Sequence, residues 1–86
     1  MFNKTMLTYR TLDRFEREYR TNSYTETEIS KIEHAAYVAN MNKTANHNWG
    51  ENEIFTDFLR VLGLHGIEAE ETTDTSNDVG IIIPLF

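Results

Sequence analysis

The sequence predicts a small α+β domain in which three helices are followed by a C-terminal β-hairpin packed on them. Apolar residues recur at helical spacing as far as about residue 62, and the period changes to alternation after Gly66. Residues 79–86 are then rich in β-branched and other apolar side chains. We therefore expect one domain over residues 1–86, with a helical body at 5–65 and the hairpin at 66–86.

The first predicted helix carries an apolar stripe, because Leu12, Phe15 and Tyr19 recur at i, i+3 and i+7. Thr11 has a side chain suited to N-capping this helix, which we expect to end near residue 20. Residues 5–10 could extend the helix or form a short strand, and the sequence does not decide between these alternatives.

The second helix has the clearest start signal in the sequence. Thr25 and Glu28 have the spacing of a capping box, and Tyr24 and Ile29 have that of a hydrophobic staple. The helix is predicted to end among the asparagines of residues 40–46, since Asn favours turns over helix interiors. Its narrow apolar stripe would let a second helix approach closely and consists of Ile29, Ile32, Ala36 and Ala39.

The third helix is predicted to begin near Asn48 or Gly50, where Glu51 and Glu53 would interact favourably with the helix dipole. We expect it to end at Gly63 or Gly66, because Gly readily adopts the conformation of the C′ position. Its wide apolar face is suited to the centre of the core and consists of Ile54, Phe55, Phe58, Leu59 and Leu62.

The hairpin prediction depends on two segments. Ile67 to Glu71 alternates between apolar and acidic residues as a half-buried strand does, and residues 72–78 contain mainly turn formers. Pro84 cannot donate to a strand ladder, so the last strand is predicted either to lie at an edge or to end at this residue.

Composition excludes several classes of function. The chain has no cysteine, which removes disulfides, thiolate nucleophiles and cysteine-ligated zinc and favours a reducing compartment. We see no secretory leader at the N-terminus and no apolar run of transmembrane length, so we expect a cytoplasmic protein with no membrane partner.

The net charge of −6 is unevenly distributed. Residues 1–50 carry seven basic and six acidic residues, a balance of +1, whereas residues 51–86 carry Arg60 and eight acidic residues, a balance of −7. A charge asymmetry of this kind indicates how the chain associates with partners or with other copies of itself, and it does not indicate the fold.

No motif indicates catalysis or a bound metal. Residues 74–78 have oxygen side chains at alternate positions, as calcium loops do, but Val79 and Leu85 occupy the positions where an EF-hand needs Gly and Glu. His34, His47 and His65 have no metal-ligand spacing. We therefore expect neither an enzyme nor a cofactor or metal.

The leading functional hypothesis is a stoichiometric protein-binding regulator or inhibitor, such as a viral antagonist of host or defence machinery. The acidic C-terminal region would steer the chain toward a basic surface on another protein, and an aromatic residue would act as the anchor. The residues predicted to bind the partner are Glu68, Glu70, Glu71, Asp74, Asp78 and Trp49.

Two alternatives remain open. Arg10, Arg14 and Arg17 recur at i, i+4 and i+7 with Arg20 nearby, so an oligomer could bind a small anion such as a nucleotide through this Arg row. The chain could also be a structural component of a larger assembly or a homo-oligomer. Nucleic acid is a less favoured partner, because the acidic half would repel a phosphate backbone.

Overall fold

The structure, a computed structural model, describes residues 2–45 and 47–72 of the 86-residue chain. These residues form three helices, α1 (Tyr9–Glu18), α2 (Glu26–Ala45) and α3 (Glu51–Leu64). The three helices surround an apolar core to which residues from each of them contribute.

Helix α1 begins three residues earlier than an N-cap at Thr11 would place it, so the assignment of Thr11 as its N-cap is wrong. Thr8 stands at the N-cap position, and its carbonyl accepts the Leu12 N–H at 3.0 Å. Thr11 is buried inside the helix, where its hydroxyl accepts a 3.1 Å hydrogen bond from the Asn40 amide. A Thr hydroxyl can accept a hydrogen bond from a helix N–H at an N-cap or from a side-chain donor inside the core. The residue type alone therefore does not identify the N-cap.

The capping box of α2 is confirmed. The Glu28 N–H donates to the Thr25 hydroxyl at 3.2 Å, and the Thr25 N–H donates to the Glu28 carboxylate at 2.9 Å. The helix ends at Ala45, within the predicted Asn-rich stretch. Three residues of the predicted apolar stripe, Ile32, Ala36 and Ala39, lie in the core, and the fourth, Ile29, is partly buried against it.

Helix α3 begins after Gly50, as predicted, and Gly66 is its C′ residue. Gly66 has a φ of 74°, in the left-handed region that favours glycine. Its N–H donates to the Gly63 carbonyl, and the N–H of Ile67 donates to the Leu62 carbonyl, both at 3.0 Å. This is a Schellman motif, in which Ile67 and Leu62 are both buried.

The core is centred on Phe15, which is fully buried. Its ring packs edge-on against Phe58 at 5.1 Å between centroids and stacks with Tyr19 at 5.1 Å and Tyr24 at 6.3 Å. Aromatic pairs at these separations are favourable beyond the area they bury. The two tyrosines therefore connect the core to the surface beyond the end of α1.

Helices α2 and α3 run antiparallel, because Asn42 contacts Asp57 at one end and His34 contacts His65 at the other. Asp57 is buried and accepts hydrogen bonds from the Asn42 amide and the Arg60 guanidinium, both at 2.8 Å. A buried carboxylate of this kind needs such donors, since burial without them is costly.

The predicted C-terminal β-hairpin is wrong: the described residues are mostly helical and contain no strand. Residues 67–71 were expected to form its first strand, yet they contain only an isolated antiparallel bridge between Glu71 and Tyr19. Ile67 is buried, but Ala69 is exposed, so the alternating pattern does not correspond to two faces of a strand. Apart from Thr72, the turn predicted for residues 72–78 and the second strand predicted for residues 79–86 lie outside the described residues.

Candidate functional site

The segment after α3 returns to the end of α1 and pairs with it briefly. The Arg20 N–H donates to the Glu70 carbonyl at 2.9 Å, and the Thr72 N–H donates to the Glu18 carbonyl at 2.9 Å. Two backbone hydrogen bonds flank the bridge between Tyr19 and Glu71. This pairing places the acidic residues 68–71 beside the connection from α1 to α2.

A groove of about 540 Å³ lies between these two segments. We call it the acidic groove, because three of its lining side chains are glutamates and one, Arg20, is basic. Its polar lining consists mainly of side chains from the α1–α2 connection, the start of α2 and the segment after α3. The lining residues are Arg20, Asn22, Ser23, Tyr24, Glu28, Gly66, Glu68 and Glu70.

Tyr24 fixes one wall of the acidic groove to the other. Its hydroxyl donates a 2.7 Å hydrogen bond to the Glu68 carbonyl, forty-four positions along the chain. Burial raises the pKa of the Tyr24 phenol, and the carboxylates of Glu28 and Glu70 raise it further. The phenol is therefore held neutral and can keep donating this hydrogen bond.

Arg20 is held only loosely by the glutamates. Its Nε lies 3.8 Å from Glu70 Oε1, and both side chains are more than half exposed. An exposed ion pair at this distance contributes little to stability, so a cation from another molecule could compete for Glu70.

The predicted acidic residues are only partly brought together. Glu68 and Glu70 line the acidic groove, and Glu71 is exposed next to them. Trp49 is half-buried against the core and lines a different, mostly apolar pocket of about 340 Å³ at the start of α3. Asp74 and Asp78 lie outside the described residues.

The Arg row makes contacts within the chain. Arg14 donates to Glu18 at 3.2 Å and to Asn52 at 3.0 Å, and its guanidinium lies 4.3 Å from the centroid of the Phe55 ring. Arg17 donates to Asp13 at 3.1 Å, while Arg10 is exposed. Arg20 extends into the acidic groove, so the four arginines do not line one pocket.

Sequence reasoning missed half of the groove. Tyr24 and Glu28 were interpreted only as residues that start α2, and Asn22 and Ser23 were not predicted to belong to a site. Nothing local signals that these residues face Glu68 and Glu70, which lie more than forty positions away. The capping box gives a weak hint, because it fixes where the chain enters α2.

Over residues 2–45 and 47–72, no three His, Cys, Asp or Glu side chains lie together as metal ligands. In the same part of the chain, we find no helix whose length and apolar content would let it cross a membrane.

Comparisons with known proteins give no family for this chain. No protein-family model, no curated protein and no solved structure matches it.

Proposed function

We propose that this chain is a protein-binding regulator or inhibitor that acts stoichiometrically, and that its acidic groove holds a basic segment of the partner. The observation that carries this proposal is the clustering of Glu28, Glu68 and Glu70 around one groove of about 540 Å³. The carboxylates come from two segments that backbone and side-chain hydrogen bonds hold together, so the groove exists before a partner arrives.

Charge complementarity sets the chemistry of the partner. Residues 51–86 have a balance of −7, which would attract a basic surface and raise the rate of association. A lysine or arginine of the partner would displace Arg20 from Glu70 and meet the other two carboxylates. The lack of cysteine suits a cytoplasmic encounter, where thiols stay reduced.

The test uses a fluorescent peptide of alternating lysine and alanine as a probe, with binding followed by anisotropy. We expect saturable binding that weakens as salt rises from 0.05 to about 0.5 M, because the screening length falls several-fold. The double variant Glu68→Gln plus Glu70→Gln should bind more than about twofold and up to about thirtyfold more weakly, since each lost exposed charge contact is worth roughly 0.2–1 kcal/mol.

The matched control is Glu26→Gln plus Glu51→Gln, which removes the same charge from exposed positions in the first turns of α2 and α3. This control should bind the peptide within about twofold of the unmodified chain. Equal weakening in the two double variants would mean that net charge and not the groove attracts the peptide, and the proposal would then be wrong.

The Arg row remains the main alternative, and Arg20 separates the two hypotheses. Under the protein-binding proposal, Arg20→Ala removes the competing cation from Glu70 and strengthens binding of the basic peptide. Under the anion-binding alternative, ATP binds to the unmodified chain and Arg20→Ala weakens that binding. Assembly into a larger structure or homo-oligomer is a third alternative, which a strictly monomeric mass would contradict.

A further inference from the structure

Two histidines that lie thirty-one positions apart in the sequence meet at one end of the α2–α3 pair. The ring centroids of His34 on α2 and His65 after α3 are 6.0 Å apart, and the ring planes are inclined by 68°. His34 is exposed and His65 is half-buried. Both rings therefore lie at the surface, where an ion can reach them.

This separation is that of two imidazoles that share one metal ion. A zinc–nitrogen bond is about 2.0 Å long, so a ligating ring centroid lies about 3.2 Å from the metal. Two such rings are about 5.2 Å apart at a tetrahedral angle and about 6.4 Å apart when opposed. The observed 6.0 Å falls between these limits, so the two rings are at a separation that one shared ion requires.

The surroundings of the two rings favour a cation. Tyr37 stacks on His34, with centroids 6.5 Å apart and planes inclined by 25°, which restricts the His34 ring. The His65 backbone is fixed as the C-cap of α3, where its N–H donates to the Val61 and Leu62 carbonyls at 3.1 Å. The C-terminal end of a helix carries partial negative charge, which stabilises a positive ion nearby.

We propose that His34 and His65 form a two-histidine site for a late transition-metal dication, with Zn²⁺ as the first ion to test. Neutral imidazole is a common ligand for such ions. No third His, Cys, Asp or Glu completes the site within the described residues. The remaining coordination positions are open to water or to an atom of another molecule. The sequence analysis missed this site because it considered ligand spacing along the chain.

Zinc titration of the full chain, freed of metal by a chelator and followed by isothermal calorimetry, tests the proposal. We expect one Zn²⁺ per chain, and at least about tenfold weaker binding in both His34→Ala and His65→Ala. His47→Ala is the matched control, because it removes the third, exposed histidine, and it should bind as the unmodified chain does.

A second measurement separates loss of the ligand from loss of the fold. Zn²⁺ should raise the unfolding temperature of the unmodified chain and of His47→Ala, because an ion bound across α2 and α3 stabilises the folded state. It should leave the unfolding temperature of His34→Ala and His65→Ala unchanged, while circular dichroism shows all four proteins equally helical. The proposal is overturned if His34→Ala and His65→Ala bind zinc as tightly as the unmodified chain. It is also overturned if His47→Ala loses as much zinc affinity as those two variants.

Discussion

Two glycines at the end of α3 should respond in opposite directions to the same substitution. Gly63 lies inside the helix, whereas Gly66 has a φ of 74°, and a Cβ added at either position meets no atom within 4 Å. Steric clash is therefore absent at both sites, and only the backbone conformation decides the effect. Alanine in a helix interior is favoured over glycine by about 0.8–1.0 kcal/mol. The left-handed conformation costs a residue with a Cβ about 1–2 kcal/mol.

We expect Gly63→Ala to raise the free energy of unfolding by about 1 kcal/mol and Gly66→Ala to lower it by about 1–2 kcal/mol. The two variants should thus differ by roughly 2–3 kcal/mol, or about 8–24 °C in unfolding temperature for a domain of this size. Urea unfolding followed by circular dichroism measures both. A Gly66→Ala variant as stable as the unmodified chain, or more stable, would refute the assignment of Gly66 as the C′ residue, and a destabilised Gly63→Ala would contradict the helical conformation of Gly63.

Two further predictions concern the core and the acidic groove. Phe15→Ala should lower the free energy of unfolding by about 3–5 kcal/mol, since the ring is fully buried among four other aromatic rings. A loss below about 1 kcal/mol in urea unfolding would contradict this packing. The raised pKa of Tyr24 means that folding favours the neutral phenol, so its contribution is complete below the ordinary pKa of about 10 and is lost as pH rises through the folded-state pKa. Tyr24→Phe should lower the free energy of unfolding by about 1 kcal/mol at pH 7. It should also make the free energy of unfolding fall less steeply with pH above about pH 10. An unchanged slope in this alkaline range would show that unfolding does not alter the titration of Tyr24.

The parts of the fold that the sequence predicted correctly depend on local interactions. The capping box of α2 joins residues three positions apart, and the apolar face of α3 repeats within one helix. Both signals are complete within a few turns of chain, so no knowledge of the rest of the molecule is needed to interpret them.

The prediction of a strand at residues 67–71 was wrong because a strand needs a hydrogen-bonded partner several residues long. The alternation of apolar and acidic residues within one segment cannot show whether such a partner lies beside it. Ile67 is apolar because it packs with Leu62 in the Schellman motif that ends α3. The neighbouring segment, which begins at Tyr19, turns away within a few residues toward α2. Only one bridge can form before the two segments separate.

The acidic groove was half predicted for a related reason. Charge counting along the sequence separated the Arg row from the acidic C-terminal region and treated them as two independent surfaces. The structure places Arg20 and Glu70 in the same groove, where the backbone N–H of Arg20 also donates to the Glu70 carbonyl. Arg20 is the one member of the Arg row that lines this groove, so the two hypotheses overlap at this position. Because a basic partner competes with Arg20 while an anionic ligand competes with Glu70, removing either side chain should favour one class of partner and disfavour the other.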